Sequence, residues 1–270
     1  MGEGGDRLKV LHILECLASF PNGLGVSEVS QRVGIPKSSV HRLLMAMEKE
    51  AYVVKEVAGK RYRLGAKVLQ LADAYSRIAD IRELARPHLR NLLDLTQETI
   101  HLVQLEETEG VYIDKLDTPQ PIGLMSRVGK RILLHSTAAG KAILAYLPES
   151  RVRAIINRMG LEPQTANTIT SYARLLEALN EVRERGCAID DNENRLGVVC
   201  IGAPILDYQG WATGAISISA PASRMTTAQA ERYAPDLLAA ALKVSSSLGY
   251  QPDDRISGWV LKELASGAQR

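Results

Sequence analysis

The chain of 270 residues is poor in aromatic side chains and cysteine, and it has no long apolar run. Phe, Trp and Tyr make up 4% of the residues, so aliphatic side chains must form most of any core. Cys16, Cys187 and Cys200 are widely spaced, which excludes a recognisable disulfide framework or CxxC metal site and fits a reducing compartment. Because no stretch of about 18 apolar residues and no apolar leader segment occur, we expect a cytoplasmic protein that does not associate with membranes.

The charge is unevenly distributed, although the net charge is only +2. Positions 36–67 contain eight basic and three acidic residues, which gives this segment a net charge of +5. A basic segment in a nearly neutral chain indicates one surface for a polyanion, with a solvated charged face as the alternative. The length favours two globular domains.

The spacing of apolar residues near the N-terminus predicts three helices. The first spans residues 7–19, and the second spans residues 27–32 with Ser27 as its N-cap. Gly34 follows where a tight turn needs a positive φ, and Pro36 suits the first turn of the third helix. A short helix, a glycine-containing turn and a helix with a basic start predict a helix-turn-helix.

The third helix has one apolar and one polar face. The predicted buried stripe consists of Val40, Leu43, Leu44 and Met47. The start of such a helix enters the major groove, where Lys and Ser bind phosphates and Arg reaches bases or phosphates. The predicted DNA-binding residues of this helix are Lys37, Ser38, Ser39, His41 and Arg42.

A hairpin is predicted after the third helix. Residues 52–55 and 60–64 alternate in polarity around a turn at residues 58–59. Arg61 and Arg63 would share one face and contact the DNA backbone as a wing, with an ordinary solvated hairpin as the alternative.

The remainder of the chain predicts a connecting helix and an α+β domain with a mostly antiparallel sheet. The connecting helix covers residues 65–79, and Pro87 would kink or restart the next helix. The predicted strands cover residues 99–106, 110–116, 122–125, 187–190, 198–206 and 212–220. The predicted later helices cover residues 138–147, 151–159, 172–185 and 227–248, with a short one at 256–264 in the tail.

Several motifs, in order along the chain, resemble the IclR family of transcription regulators from about residue 7 to residue 250. They are the stretches Lys37–Leu44 (KSSVHRLL), Gly59–Leu64 (GKRYRL), His135–Ala142 (HSTAAGKA), Asp190–Ile205, and Ser217–Pro221 (SISAP) with Arg224. The stretches Glu98–Leu102 (ETIHL) and Thr168–Ser171 (TITS) resemble the subgroup that controls sugar-acid catabolism.

The resemblance implies a winged helix-turn-helix DNA-binding domain at residues 1–65 and a connecting helix at 66–80. A GAF-like effector-binding domain would follow at 81–250, with a tail at 251–270. It also implies a dimer or tetramer, a palindromic operator in double-stranded DNA, and a small carboxylate effector such as a keto acid or sugar acid.

The resemblance also implies which residues line the effector pocket. Matched to the family motifs, they are Leu124, Ala138, Ala139, Asp190, Val198, Cys200, Ser217 and Ser219. Residues 138–140 open a helix, where free N–H groups favour a carboxylate. Ser217 and Ser219 share one strand face. Asp190 would repel a carboxylate, so we expect it to accept hydrogen bonds from effector hydroxyls or water.

Alternatives remain for several of these residues. Asp190 is also compatible with a solvated turn, and Cys200 with a core position. We expect His101 and His135 to be hydrogen-bonded structural histidines.

The preferred hypothesis is a transcription regulator, most simply a repressor, whose operator binding depends on the effector. No cofactor or metal spacing is present and no nucleophile motif organises the candidate catalytic types, so we expect no enzyme. An enzyme acting on a small acid, and a DNA-binding protein whose second domain only oligomerises, are the alternatives.

Overall fold

The computed structural model describes residues 3–56, 60–78 and 80–251. The chain divides into two compact units, Met1–Ala79 and Asp80–Arg270. The predicted hairpin turn at 58–59 and the predicted tail helix at 256–264 lie outside the described residues. Within the part that is described, no helix is long and apolar enough to cross a membrane.

The N-terminal unit has the predicted order of three helices and a hairpin. Its elements are α1 (Glu3–Ala18), α2 (Val26–Val33), α3 (Lys37–Lys49), β1 (Val53–Lys55), β2 (Tyr62–Leu64) and α4 (Ala66–Ile78). Strands β1 and β2 are antiparallel, with Val54 opposite Arg63. Gly34 has a φ of 67° between α2 and α3, as predicted for the tight turn. This arrangement is a winged helix-turn-helix.

The predicted N-cap of the second helix is wrong by two residues. Helix α2 begins at Val26, and Gly25 is its N-cap. The Glu28 carboxylate, inside the helix, accepts a hydrogen bond of 2.7 Å from the N–H of the N-cap Gly25.

The C-terminal unit is an α+β domain. Its helices are α5 (Ile81–Thr96), α6 (Ala138–Ala145), α7 (Glu149–Met159), α8 (Tyr172–Arg185), α9 (Thr227–Arg232) and α10 (Ala234–Ser247). Its strands are β3 (Thr99–Glu106), β4 (Glu109–Leu116), β5 (Arg131–Ile132), β6 (Ala188–Asp191), β7 (Val198–Leu206) and β8 (Ala212–Pro221). They form one sheet in the order β5-β4-β3-β8-β7-β6, and every pair is antiparallel.

The start of α6 lies unusually close to strand β7. A Cβ atom on Gly202 would approach the backbone of Ala138 and Ala139 to within 2.7–2.9 Å, which is closer than real Cβ contacts. A Cβ atom on Gly140 would lie 2.4 Å from the backbone of Leu134. Gly202 therefore allows the first turn of α6 to lie directly on the sheet, and Gly140 allows the preceding chain at Leu134 to pack against that turn.

Three predictions for this domain need correction. Residues 122–125 form no strand, whereas the short strand β5 at Arg131–Ile132 was not predicted. The predicted helix 227–248 is interrupted at Tyr233, since Pro235 lies in the first turn of the separate helix α10. Helix α5 continues through Pro87, so the restart that was one of the two alternatives there does not occur.

Candidate nucleic-acid interface and effector pocket

Helix α3 presents its polar face to solvent. Val40, Leu43, Leu44 and Met47 are buried, as the apolar stripe predicted. Of the predicted DNA-binding residues of this helix, Ser39 is half-buried. The other four are exposed, namely Lys37, Ser38, His41 and Arg42. The N-cap Pro36 makes no side-chain capping hydrogen bond. The first turn of α3 can therefore offer backbone N–H groups and short polar side chains to a phosphate.

The hairpin arginines differ in their surroundings. The Arg61 guanidinium donates to the Gly23 carbonyl at 3.0 Å and to Glu28 at 3.2 Å, which ties the hairpin to the start of α2. Arg61 precedes β2 and has these two partners in its own unit. Its side chain is still 42% exposed, against 52% for Arg63, so a shared DNA-facing role of the two arginines stays a prediction. Arg63 lies 3.1 Å from Glu56 in an exposed pair that contributes little stability.

All eight residues predicted to bind the effector line one cavity of about 80 Å³ in the C-terminal unit. They are Leu124, Ala138, Ala139, Asp190, Val198, Cys200, Ser217 and Ser219. The strand register explains part of this grouping, since Asp190 pairs with Cys200 and Cys200 with Ser219, so the three share one face of the sheet. A larger cleft of about 730 Å³ runs along α8 and β6 and contains none of the eight positions.

The first turn of α6 forms one wall of the cavity. Thr137 is the N-cap, and its hydroxyl accepts a hydrogen bond of 3.1 Å from Gly140 N–H. The Lys141 N–H donates to the Thr137 carbonyl at 2.9 Å. This leaves the amides of Ala138 and Ala139 without an intrahelical acceptor. Both residues line the cavity, so the arrangement favours an anionic oxygen there.

Asp190 is the buried carboxyl group of the cavity. Asp190 is 2% exposed, and its Oδ1 accepts hydrogen bonds from Glu193 N–H at 2.8 Å and Asn194 N–H at 3.3 Å. Burial raises the pKa of Asp190 to about 7, against the opposing effect of the two N–H donors. Near neutral pH the group can therefore either accept or donate a hydrogen bond, which the sequence did not indicate.

Sequence reasoning did not predict the buried ion pair beside Asp190. Lys141 and Glu193 form it, with side-chain exposures of 5% and 11%. Burial raises the pKa of Glu193 while the lysine opposes that shift, and the second carboxylate oxygen has no hydrogen-bond partner among the described residues. The pair connects α6 to the turn after Asp190.

His101 also lines the cavity. Its ring stacks on Tyr112 with centroids 4.4 Å apart. Nε2 lies 2.7 Å from Ser126 Oγ, and Nδ1 lies 3.4 Å from Ser219 Oγ. Pairing of β3 with β8 sets His101 opposite Ser217, so the strand register was the signal that could have identified it. His135, by contrast, is hydrogen-bonded to the Glu162 carbonyl at 3.1 Å, away from the cavity.

Two other motif residues brace the domain. Arg224 contacts both carboxylate oxygens of Glu98 at 2.6 and 2.7 Å, which joins the loop after β8 to the start of β3. The Thr168 hydroxyl donates to the Glu193 carbonyl at 2.6 Å. Both contacts hold strands and turns that border the cavity.

Comparison with known proteins identifies the family. The chain matches the model for the bacterial transcriptional regulator IclR C-terminal domain at residues 73–246 and that for the IclR helix-turn-helix domain at residues 8–56. The chain belongs to the IclR family. It is therefore a DNA-binding transcription regulator and not an enzyme.

Relatives within the IclR family support this assignment over nearly the whole chain. The Escherichia coli HTH-type transcriptional regulator KdgR is 37% identical over 90% of this chain and 92% of its own length. The E. coli transcriptional repressor IclR is 30% identical over 92% of this chain and 91% of its own length. Among solved structures, Thermotoga maritima IclR is 34% identical, with a TM-score of 0.62 over 92% of this chain and 100% of its own. The Agrobacterium tumefaciens repressor BlcR is 30% identical, with a TM-score of 0.67 over 92% and 98%.

The Lys141–Glu193 pair yields a stability prediction. We expect Lys141→Met to lower the free energy of unfolding by about 3 kcal/mol, because it leaves a buried carboxylate uncompensated. The matched double variant Lys141→Met/Glu193→Gln should recover most of that loss. Urea unfolding of the three proteins measures both effects. Equal destabilisation by the single and double variants would contradict the assignment of a coupled buried pair.

Proposed function

We propose that a small hydroxylated carboxylate binds the cavity at the start of α6 and lowers the affinity of this regulator for its operator, so that the protein acts as a repressor. The observation that carries the proposal is the convergence of all eight predicted positions on one cavity bordered by the amides of Ala138 and Ala139. Its lining groups Asp190, Ser217 and Ser219 can hydrogen-bond to hydroxyl groups.

The relatives' names agree with this proposal in two respects. One relative is called a transcriptional repressor, and another carries the name KdgR, as expected for the subgroup that the sequence resembles. We propose that two or four copies act together on a palindromic operator, since paired recognition helices match two half-sites about one helical turn apart. Such a protein acts where bacterial DNA lies, in the cytoplasm.

Operator titration tests effector control. We expect a duplex selected by the protein from a random pool to contain a palindrome. Gluconate, 2-ketogluconate, lactate or pyruvate should lower its affinity at least tenfold, which corresponds to a coupling free energy of about 1.4 kcal/mol. Fluorescence anisotropy of the labelled duplex is the measurement. Tight operator binding with no response to any of the four acids, and no heat of binding in calorimetry, would instead favour a second domain that only oligomerises.

Three arginine variants test the DNA interface. Arg42→Ala should weaken operator binding by roughly 1–3 kcal/mol and relax sequence preference if Arg42 reads a base. Arg63→Ala should weaken binding to all duplexes alike and reduce the slope of log K against log[salt] by about one. Arg61→Ala is the matched control. It should leave the salt slope unchanged and lower the urea midpoint of the N-terminal unit, because its partners are Gly23 and Glu28.

One outcome would contradict the roles assigned to Arg61 and Arg63. An Arg61→Ala protein with a reduced salt slope, beside an Arg63→Ala protein with an unchanged one, would reverse the roles of the two side chains.

The pH dependence of effector affinity tests Asp190. A bound carboxylate raises the pKa of Asp190 above its value of about 7 in the free protein, so binding takes up a proton at higher pH. Effector affinity should be constant well below pH 7 and fall by up to tenfold per pH unit above it. His101 does not contribute, because burial lowers its pKa to about 3.

The control for the pH measurement is Asp190→Asn, whose amide oxygen still accepts the two backbone hydrogen bonds. Calorimetric titration with gluconate between pH 6 and pH 8.5 should show no decline in affinity for this variant. An identical decline in both proteins would show that another group takes up the proton.

A further inference from the structure

The cavity is small for the effector proposed above. Its volume is about 80 Å³, whereas pockets for small organic ligands typically span roughly 300–1,000 Å³. A hydroxylated acid of several carbons therefore needs a wall that moves.

Besides the N-cap Thr137, two irregular segments border the cavity in the described part of the chain, and they differ in how firmly they are held. The turn at residues 192–197 contributes Asn194 and Arg195. It is fixed by backbone hydrogen bonds to the buried Asp190 and by a bond of 2.6 Å from Gly197 N–H to the Asn192 side chain. Thr165 and Thr168 donate to its carbonyls from outside. This turn is a poor candidate for movement.

The segment 117–130 is anchored at its ends and held more loosely between them. The Thr118 hydroxyl donates to the Gln97 carbonyl at 2.6 Å, and the Tyr112 backbone bonds to Gly129 at 2.8 Å and to Lys130 at 3.1 Å. Ile122, Met125 and Val128 are 69%, 87% and 55% exposed and Leu124 is half-buried, so little apolar burial stabilises the middle of the segment.

Over the cavity, Lys115 Nζ donates to the carbonyls of Leu124 and Ser126 at 3.1 and 2.8 Å. A hydrogen bond of 2.7 Å between Ser126 and His101 joins the segment to the cavity lining.

His101 is suited to exchange this partner. It is 1% exposed and uncharged, and its ring is held against Tyr112. Its Nδ1 faces Ser219 in the rigid strand β8, whereas its Nε2 faces a hydroxyl on the loosely held segment. A neutral imidazole can replace one hydroxyl by another without a change of charge.

We propose that His101 Nε2 is hydrogen-bonded to the Ser126 hydroxyl in the effector-free protein and that a hydroxyl of the effector displaces Ser126 from it. His101 is then a specificity-determining residue, and effector binding is coupled to movement of segment 117–130. This inference rests on the proposed function, because it requires an acid in the same cavity. It predicts that a hydroxylated acid gains a hydrogen bond that a simple fatty acid cannot form.

Removal of the competing hydroxyl should tighten binding. In Ser126→Ala, the buried Nε2 of His101 lacks a protein partner until the effector supplies one, so the dissociation constant for gluconate should fall by roughly 3- to 10-fold. In His101→Phe, which keeps a ring against Tyr112, gluconate should bind more weakly than to the wild type, and adding Ser126→Ala should change nothing. Calorimetry with gluconate on the full chain measures all four proteins.

A second loop variant distinguishes displacement from general loosening. Thr118→Ala removes a hydrogen bond of 2.6 Å to the Gln97 carbonyl, which ties the same segment away from His101. It should raise gluconate affinity clearly less than Ser126→Ala does, because His101 keeps its partner.

Other results would overturn the displacement of Ser126, the role of His101, or the proposed function. Unchanged or weaker gluconate binding by Ser126→Ala, or an equal gain in Thr118→Ala, overturns the displacement. Since Ser126 lies on a surface segment, its variant keeps the test valid if His101→Phe fails to fold. If the wild type binds lactate or pyruvate but not gluconate, the role of His101 in selecting a polyhydroxylated acid is wrong. If it binds none of the four acids, the proposed function itself fails.

Discussion

The close approach of helix α6 to the sheet is the constraint on which the candidate pocket depends. Gly202 in β7 and Gly140 in α6 lack the side chains that would force the helix away from its neighbours. The contact brings the amides of Ala138 and Ala139 to a cavity floored by Ser217 and Ser219. The small residues thus have two effects. They permit the close packing, and they leave room for a ligand at the positively polarised N-terminus of the helix.

The polar groups around that contact form one connected arrangement. Asp190 organises the turn after β6 through two backbone N–H groups, and Glu193 of that turn reaches Lys141 in α6. A change in the charge or contacts of Asp190 therefore acts on both the turn and the helix that carry the pocket. Because burial raises the pKa of Asp190 to about 7, an anion bound beside it would shift the protonation of this group.

Sequence patterns predicted the fold where burial is periodic and local. The stripe Val40, Leu43, Leu44 and Met47 is buried as expected, and the eight positions that the family motifs indicated are among those that line the cavity. The patterns failed where long-range contacts decide the outcome. Residues 122–125 are apolar but lie in an irregular segment, Arg61 is bound by Gly23 and Glu28, and Lys141 meets Glu193 across 52 positions of chain. The contacts of Arg61 and Lys141 leave no local sequence pattern. His101 can be assigned to the cavity only once the register of β3 against β8 is known.

The central claim is that the first turn of α6 binds the carboxylate of an effector. Backbone ¹⁵N–¹H resonances of alanine-labelled protein, assigned with Ala138→Ser and Ala139→Ser variants, report on that turn directly during a gluconate titration. The account predicts that the signals of Ala138 and Ala139 shift most and saturate together with binding measured by calorimetry. Saturable binding that leaves both signals in place, while alanines remote from the cavity respond, would contradict it.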